Sequence, residues 1–384
     1  MENRMKVLQE NLSARNLQGA ILSYSRNLLY YTGTAQPSYL AVTSSDYGLF
    51  VRSGMDFARE EAFIEKNKIH PCNGIGDLKD FFPGGANLGA ELDIIPMLQF
   101  QSMSTKLSGF QFSNVSPLVL EQRKRKDSLE IDRLRAACAI MHKGHEAVVS
   151  SLREGMTELE LAAVTEDAHR RAGHEGHFFI RLPDFFMSRG PIGSGTNLLK
   201  NSGVVYTITG VGLSPSMPAG PSRKKISRGE PVIIDIPVMA NGYHADQTRT
   251  YVLSRAGTEI KAMYDDLKTI ADYLIERMRP AVKCSELCRL AFARAEHLGR
   301  SGQFQSFGRG RRSGMIGHGI GLELNEPPVL SESGHGEFQA GQVIALDMHM
   351  LDESFGAVKL EDMVLIGEDS NELITMSPRE LCEI

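Results

Sequence analysis

The 384-residue sequence predicts two domains, an α/β unit over residues 1–125 and a larger α+β domain over residues 127–384. Three observations carry that expectation. The chain is too long for one ordinary compact domain of about 100–200 residues. Its hydrophobic pattern changes at Asp127, where a helix start follows the basic run Arg123-Lys124-Arg125-Lys126. Beyond that point, amphipathic stretches alternate with paired apolar runs rich in β-branched residues, the pattern of helices packed on antiparallel hairpins.

In chain order, Met5, Leu8 and Leu12 recur at helical spacing, and Gly19-Ala20-Ile21-Leu22 and Leu40-Ala41-Val42 read as short buried strands between turn residues. Asp127 and Glu130 have the spacing of a capping box, after which Ile131, Leu134, Cys138 and Met141 hold one helical face. Further helices are expected from Thr157 to Ala172, from Thr258 along the stripe Ile260, Met263, Leu267, Ile270 and Leu274, and over Ser285–Leu298. Strands are expected over Val204–Thr209, Val232–Val238, Tyr243–Leu253, Val343–Met350 and Val358–Ile366. No repeat of fixed period and no low-complexity tract interrupts this order.

The composition, 42% hydrophobic and 23% charged, is that of an ordinary globular protein. A net charge of −5 gives no reason to expect nucleic acid or an anionic membrane as partner, so a small molecule or short peptide is the expected ligand. The basic run at Arg123–Lys126 reads as a solvated linker. Five scattered cysteines fit reduced thiols in the cytoplasm, and Cys284 and Cys288, four apart on a helix with no second ligand pair following, are expected to pack in the core. No stretch approaches the roughly 18 apolar residues of a membrane span, and the first residues lack the apolar core of a signal peptide.

Two predicted hairpins collect carboxylates. Asn241-Gly242, flanked by strand-like runs, is a strong two-residue turn signal. Pairing Ala240 with Tyr243 sets Asp235 opposite Thr248, with Asp246 and His244 on the same face. Diagonal neighbours in such a ladder lie ~7–8 Å apart at Cα, which lets two carboxylates converge on ions ~3.5–4 Å apart. In the second hairpin, pairing Leu351 with Ala357 sets Asp347 opposite Glu361 and His349 opposite Lys359. Between the hairpins stands His318 in Gly317-His318-Gly319-Ile320-Gly321, where glycines let the backbone approach a ligand closely. One imidazole with four carboxylates makes a hard, oxygen-rich donor set suited to Mn²⁺, Co²⁺, Fe²⁺ or Zn²⁺.

Asp235 and Asp246 eleven apart, the Gly-His-Gly-Ile-Gly segment, two acids fourteen apart and the run Gly242-Tyr243…Asp246…Thr248-Arg249-Thr250 together resemble the family of creatinase, prolidase, aminopeptidase P and methionine aminopeptidase. The resemblance spans nearly the whole chain. It implies a smaller creatinase-type α/β N-terminal domain followed by a catalytic domain of the pita-bread fold, in a homodimer. It also implies two divalent ions on Asp235, Asp246, His318, Asp347 and Glu361, whose bridging hydroxide attacks a scissile carbonyl. The function implied is an Xaa-Pro dipeptidase or aminopeptidase-P-like hydrolase. The alternatives are a creatinase-like hydrolase of a small nitrogen compound and a member of the fold that binds metal or ligand without turnover.

The chain departs from the family pattern at several of these positions. Asp347 replaces the usual Glu and is one methylene shorter, Asn325 replaces a second His, and Ala219 follows Pro218 where the family has Pro-His. Lys359 occupies a family Arg position, where it is expected to pair with a carboxylate. Asn325 keeps an amide donor but no cationic form, and Ala219 keeps neither. Asp347, His349 and Asn325 are the catalytic candidates, and Thr248, Lys359 and His244 the supporting ones. The Gly308–Gly314 stretch, with Arg309, Arg311 and Arg312, is expected to form a basic active-site loop able to receive an acidic group.

Overall fold

The amphipathic start of the chain folds as the helix Glu2–Ala14, whose Met5, Leu8 and Leu12 are buried. In the computed structural model, residues 2–182, 189–202 and 207–384 are described. They form two units that divide in sequence between Arg123 and Lys124. The first carries a six-stranded mixed sheet, in the order Ile69–Pro71, Tyr47–Val51, Ser38–Thr43, Gly19–Leu22, Asn87–Ala90 and Gln111–Asn114. Its inner strands are buried on both faces, which accounts for their continuous apolar runs.

In the second unit the helix starts at Asp127 and Thr157 carry capping boxes. Asp127 accepts from the Glu130 N–H while Glu130 accepts from the Asp127 N–H, and Thr157 and Glu160 repeat the arrangement. Two neighbouring helices, Ser128–Ser151 and Glu158–Ala172, pack together, and the second ends at Gly173 with φ 112°. The helix Thr258–Ile275 buries Ile260, Met263, Leu267, Ile270 and Leu274. Cys284 and Cys288, on the helix Cys284–His297, join the same core, and burial pushes their thiols up to about 11 and about 12.

Two sheets complete this unit, antiparallel except where Thr248–Val252 pairs in parallel with Cys382–Glu383. One sheet runs Cys382–Glu383, Thr248–Val252, Pro231–Asp235, Ile192–Ser194, and the other Glu326–Ser331, Met315–Gly319, Val343–Asp352, Gly356–Leu365, Glu372–Leu373. Asn241 and Gly242 have φ of 51° and 78°, the two positive values that a type I′ turn requires. Ala240 therefore pairs with Tyr243, and the same count brings Asp235 opposite Thr248. The strands do not run unbroken, however. Pro237 has no N–H to give, so the ladder splits into Val238–Ala240 with Tyr243–Ala245 and Pro231–Asp235 with Thr248–Val252, and Asp246 falls in the gap. The longer hairpin is continuous, with Asp347 opposite Glu361 and His349 opposite Lys359. The strand expected over Val204–Thr209 lies partly outside the described residues, and its last residues, 207–209, form no strand. Among the described residues no helix is long and apolar enough to cross a membrane.

Candidate metal centre

Four of the five candidate ligands are delivered by a strand, where the backbone ladder fixes their direction, and Asp246 by the break between two strands. Asp235 ends its strand, Asp246 sits in the Pro237 interruption, and Asp347 and Glu361 face each other across the long hairpin. His318 comes from the strand Met315–Gly319. Its flanking glycines have a steric cause, since a side chain at Gly317 would collide with the Ala345 carbonyl and one at Gly319 with that of Pro327. His318 Nδ1 lies 3.0 Å from the Gly319 carbonyl, which makes Nδ1 the donor and leaves the Nε2 lone pair facing Asp246 Oδ2 at 3.9 Å.

Asp246, His318 and Glu361 each offer a ligand atom within 4.8 Å of the others, and all three are buried. Asp246 Oδ1 and Glu361 Oε1 have no hydrogen-bond partner. Buried carboxylate oxygens without donors are costly, and a cation is the simplest group to satisfy them. Two carboxylates and one imidazole with a fixed tautomer fit one divalent ion of the Mn²⁺ to Zn²⁺ series. Asp235 and Asp347 line the same cavity outside that three-residue cluster, and Asp347 Oδ1 likewise has no hydrogen-bond partner. The Lys359 ammonium lies 2.5 Å from Asp235 Oδ2, 3.1 Å from Asp347 Oδ1 and 3.4 Å from Glu361 Oε2.

The electrostatics follow from burial. Desolvation pushes the carboxyls of Asp235 and Asp347 up to about 6, against the pull of Lys359. Asp246 is raised well above its ordinary value, first by burial and then by Glu361 and Asp235, and Glu361 is raised as well, first by burial. Burial lowers His318 and keeps its imidazole neutral, the form that ligates. For Lys359 burial opposes the charge, but Asp235, Asp347 and Glu361 together outweigh it and hold the ammonium well above its usual value.

Supporting contacts orient these groups. Thr248 Oγ1 donates to Glu361 Oε2 at 2.8 Å. Arg249, to which the sequence alone assigns no role, is buried and clamps the strand that carries Glu361, donating to the Glu361 carbonyl and to Asp362 Oδ1, both at 2.7 Å. Its signal was a permanent cation inside an otherwise uncharged strand, which when buried calls for an acid nearby.

A cavity of about 70 Å³ reaches the cluster, with Asp235, Asp246, His318, Asp347, Lys359 and Glu361 at its floor. Asn325 lines it beside Phe178, Ile180, Pro191, Met315 and Leu324. Residues 132–368 match metallopeptidase family M24, and residues 4–125 match the creatinase/prolidase N-terminal domain. The chain belongs to metallopeptidase family M24. An Xaa-Pro dipeptidase of Pyrococcus horikoshii is 24% identical over 99% of this chain and 99% of its own length. The crystal structure of the prolidase from Pyrococcus horikoshii OT3 superimposes with a TM-score of 0.82 at 23% identity, covering 99% of both chains. The fold is also that of the N-terminal domain of FACT complex subunit SPT16 from Cicer arietinum, with a TM-score of 0.72 at 15% identity over 99% of this chain and 97% of that one.

Two histidines of this M24 chain are not brought to the cavity. His349 points its Nε2 at the Ser306 carbonyl, 3.0 Å away, under the Phe307 ring, and burial lowers its imidazole to about 3. His244 contacts the Gly321 carbonyl through Nδ1 and accepts from the Phe179 N–H through Nε2. Ala219 is buried, and it is not among the residues that line the cavity. The basic stretch after Gly308 folds as a short hairpin, Ser306–Gly308 with Arg311–Arg312, and Arg309 and Arg311 line a separate cavity of about 570 Å³ with Lys200.

Proposed function

We propose that this M24 chain is a metal-dependent hydrolase of a C–N bond, acting on the amide of a short peptide of the Xaa-Pro type. The observation that carries the reading is the buried Asp246–His318–Glu361 cluster, with two partnerless carboxylate oxygens, at the floor of a cavity. Full-length relatives named Xaa-Pro dipeptidase support the choice of substrate. An ion held by the three side chains supplies Lewis acidity and activates water, a contribution worth several kcal/mol in the transition state.

The rest falls to the chain's own residues. His318 is held in the ligating tautomer by the Gly319 carbonyl, and Thr248 and Arg249 set the direction of Glu361. Phe178, Ile180, Pro191, Met315 and Leu324 make an apolar wall that excludes water and accepts an apolar side chain or ring. Asn325 presents an amide that donates to, or accepts from, the substrate's peptide group. It cannot protonate a leaving amine as an imidazole does. Since a positioned general acid contributes ~10²–10⁴-fold, turnover of Xaa-Pro dipeptides should be slow.

The test is proline release from an Xaa-Pro dipeptide panel, with Mn²⁺ or Co²⁺ added and then removed by chelation. Slow, metal-dependent hydrolysis that rises in Asn325→His supports the reading. Metal binding without hydrolysis of any peptide in the panel rejects the substrate assignment. It would favour a second reading, hydrolysis of a small nitrogen compound, with which the small volume at the cluster and the uncharged Asn325 are compatible.

A further inference from the structure

Lys359 stands two residues before Glu361 on the strand Gly356–Leu365, so both side chains leave the same face of the sheet. It is 1% exposed, and its ammonium is enclosed by Asp235, Asp347 and Glu361 at 2.5, 3.1 and 3.4 Å. Those are three of the five side chains that a two-ion centre would need. Ions in such a centre sit ~3.5–4 Å apart, each bonded to ligand oxygens at ~2.0–2.2 Å. With one ion on Asp246, His318 and Glu361, its companion would bond Asp235 and share Glu361. The space between Asp235 Oδ2 and Glu361 Oε2 is where Nζ lies.

An ammonium has three donors and no lone pair, so it cannot become a ligand to that ion, and two cations in one buried space repel strongly. The contacts group the acids accordingly, with Glu361 shared between the histidine cluster and the lysine. Asp246 and Glu361 cluster with His318, while Asp235 and Asp347 lie outside that cluster and against the lysine. The shorter side chain of Asp347 meets the ammonium across the hairpin.

We infer that the Lys359 ammonium takes the place of a second cation, so that the chain holds one divalent ion on Asp246, His318 and Glu361, with Asp235 and Asp347 as counter-ions of the lysine. The inference rests on the metal-binding reading above and fixes the number of ions and the roles of three residues.

The experiment is a metal count on the full chain. Protein stripped by chelation is titrated calorimetrically with Mn²⁺, desalted for elemental analysis, and frozen for electron paramagnetic resonance. Wild type is expected to hold one Mn²⁺ per chain with the six-line spectrum of an isolated ion, and Lys359→Met two, with the spectrum of an exchange-coupled pair. Asp235→Asn, which keeps the shape of the side chain, is expected to retain the single ion with affinity within about threefold of wild type, and so serves if Lys359→Met does not fold. Two coupled ions in wild type, one ion in folded Lys359→Met, or loss of the ion in Asp235→Asn overturns the inference and leaves metal binding itself intact. No ion in either wild type or Lys359→Met overturns the metal reading as well.

Discussion

Thr248→Val isolates the control that one hydroxyl exerts over the metal cluster. Thr248 is fully buried, and its Oγ1 donates to Glu361 Oε2 at 2.8 Å, an ordinary length for an O–H···O hydrogen bond. Valine has nearly the same shape, so the substitution removes the donor without opening a cavity. A hydrogen bond to a charged group is worth ~1.5–3 kcal/mol, and each 1.4 kcal/mol is tenfold in an equilibrium constant. If Glu361 uses its other oxygen, Oε1, to bind an ion, losing the Thr248 contact should weaken Mn²⁺ binding by about 10–100-fold, the usual effect of removing such an outer contact. Isothermal calorimetry on wild type, Thr248→Val and Thr248→Ser measures it, with circular dichroism checking that each is folded. The Ser variant should bind within a few-fold of wild type. Binding by a folded Thr248→Val within twofold of wild type would refute the reasoning, because Glu361 would then be positioned without Thr248.

Three further outcomes are expected. Asp246→Ala should abolish tight metal binding, and with it the thermal stabilisation that wild type gains from Mn²⁺, which is about 2.7 kcal/mol at 100 times Kd and is read by scanning calorimetry with and without chelator. Burial lowers His169 to about 4, where its ring packs against Gly144 and contacts the Met141 carbonyl. The folded state therefore keeps it neutral while the unfolded chain binds a proton below about 6.5, so stability present above pH 6.5 is lost as pH falls towards 4. The loss is roughly 3 kcal/mol, and His169→Gln should flatten it in urea midpoints measured between pH 7 and 4.5. Asp127→Ala removes one half of a complete capping box and should cost about 1 kcal/mol in urea unfolding, while no change in midpoint would mean that the helix start is held by packing alone.

Much of the fold was legible because the signals are local. The Asn241-Gly242 turn demands two positive φ angles, and that demand sets the register that places Asp235 opposite Thr248. Capping at Asp127 and Thr157 and the buried stripe from Ile260 to Leu274 are likewise written in neighbouring residues. The register of the long hairpin was legible too, including His349 opposite Lys359. That Lys359 pairs with a carboxylate was expected as well, but which acid it meets and where His349 turns were not legible. Both leave the same sheet face as the carboxylates, yet His349 turns to the Ser306 carbonyl and Lys359 to Asp235. Nothing in the strand itself chooses between these outcomes.

The sequence by itself determined which residue types share a face, through a period of two along each strand and a turn that sets the count. It also determined the helices and the family resemblance, since motif spacing survives where overall identity has fallen to 24%. Tertiary structure decided which acids meet the histidine and which meet the lysine. Lys359 and Asp235 are 124 residues apart in the chain, and Glu361 and Thr248 113. Such contacts depend on how separate hairpins stack and where each buried charge finds its counter-charge. Burial makes that pairing compulsory, because an ammonium or carboxylate withdrawn from water must meet an opposite charge or give up its own.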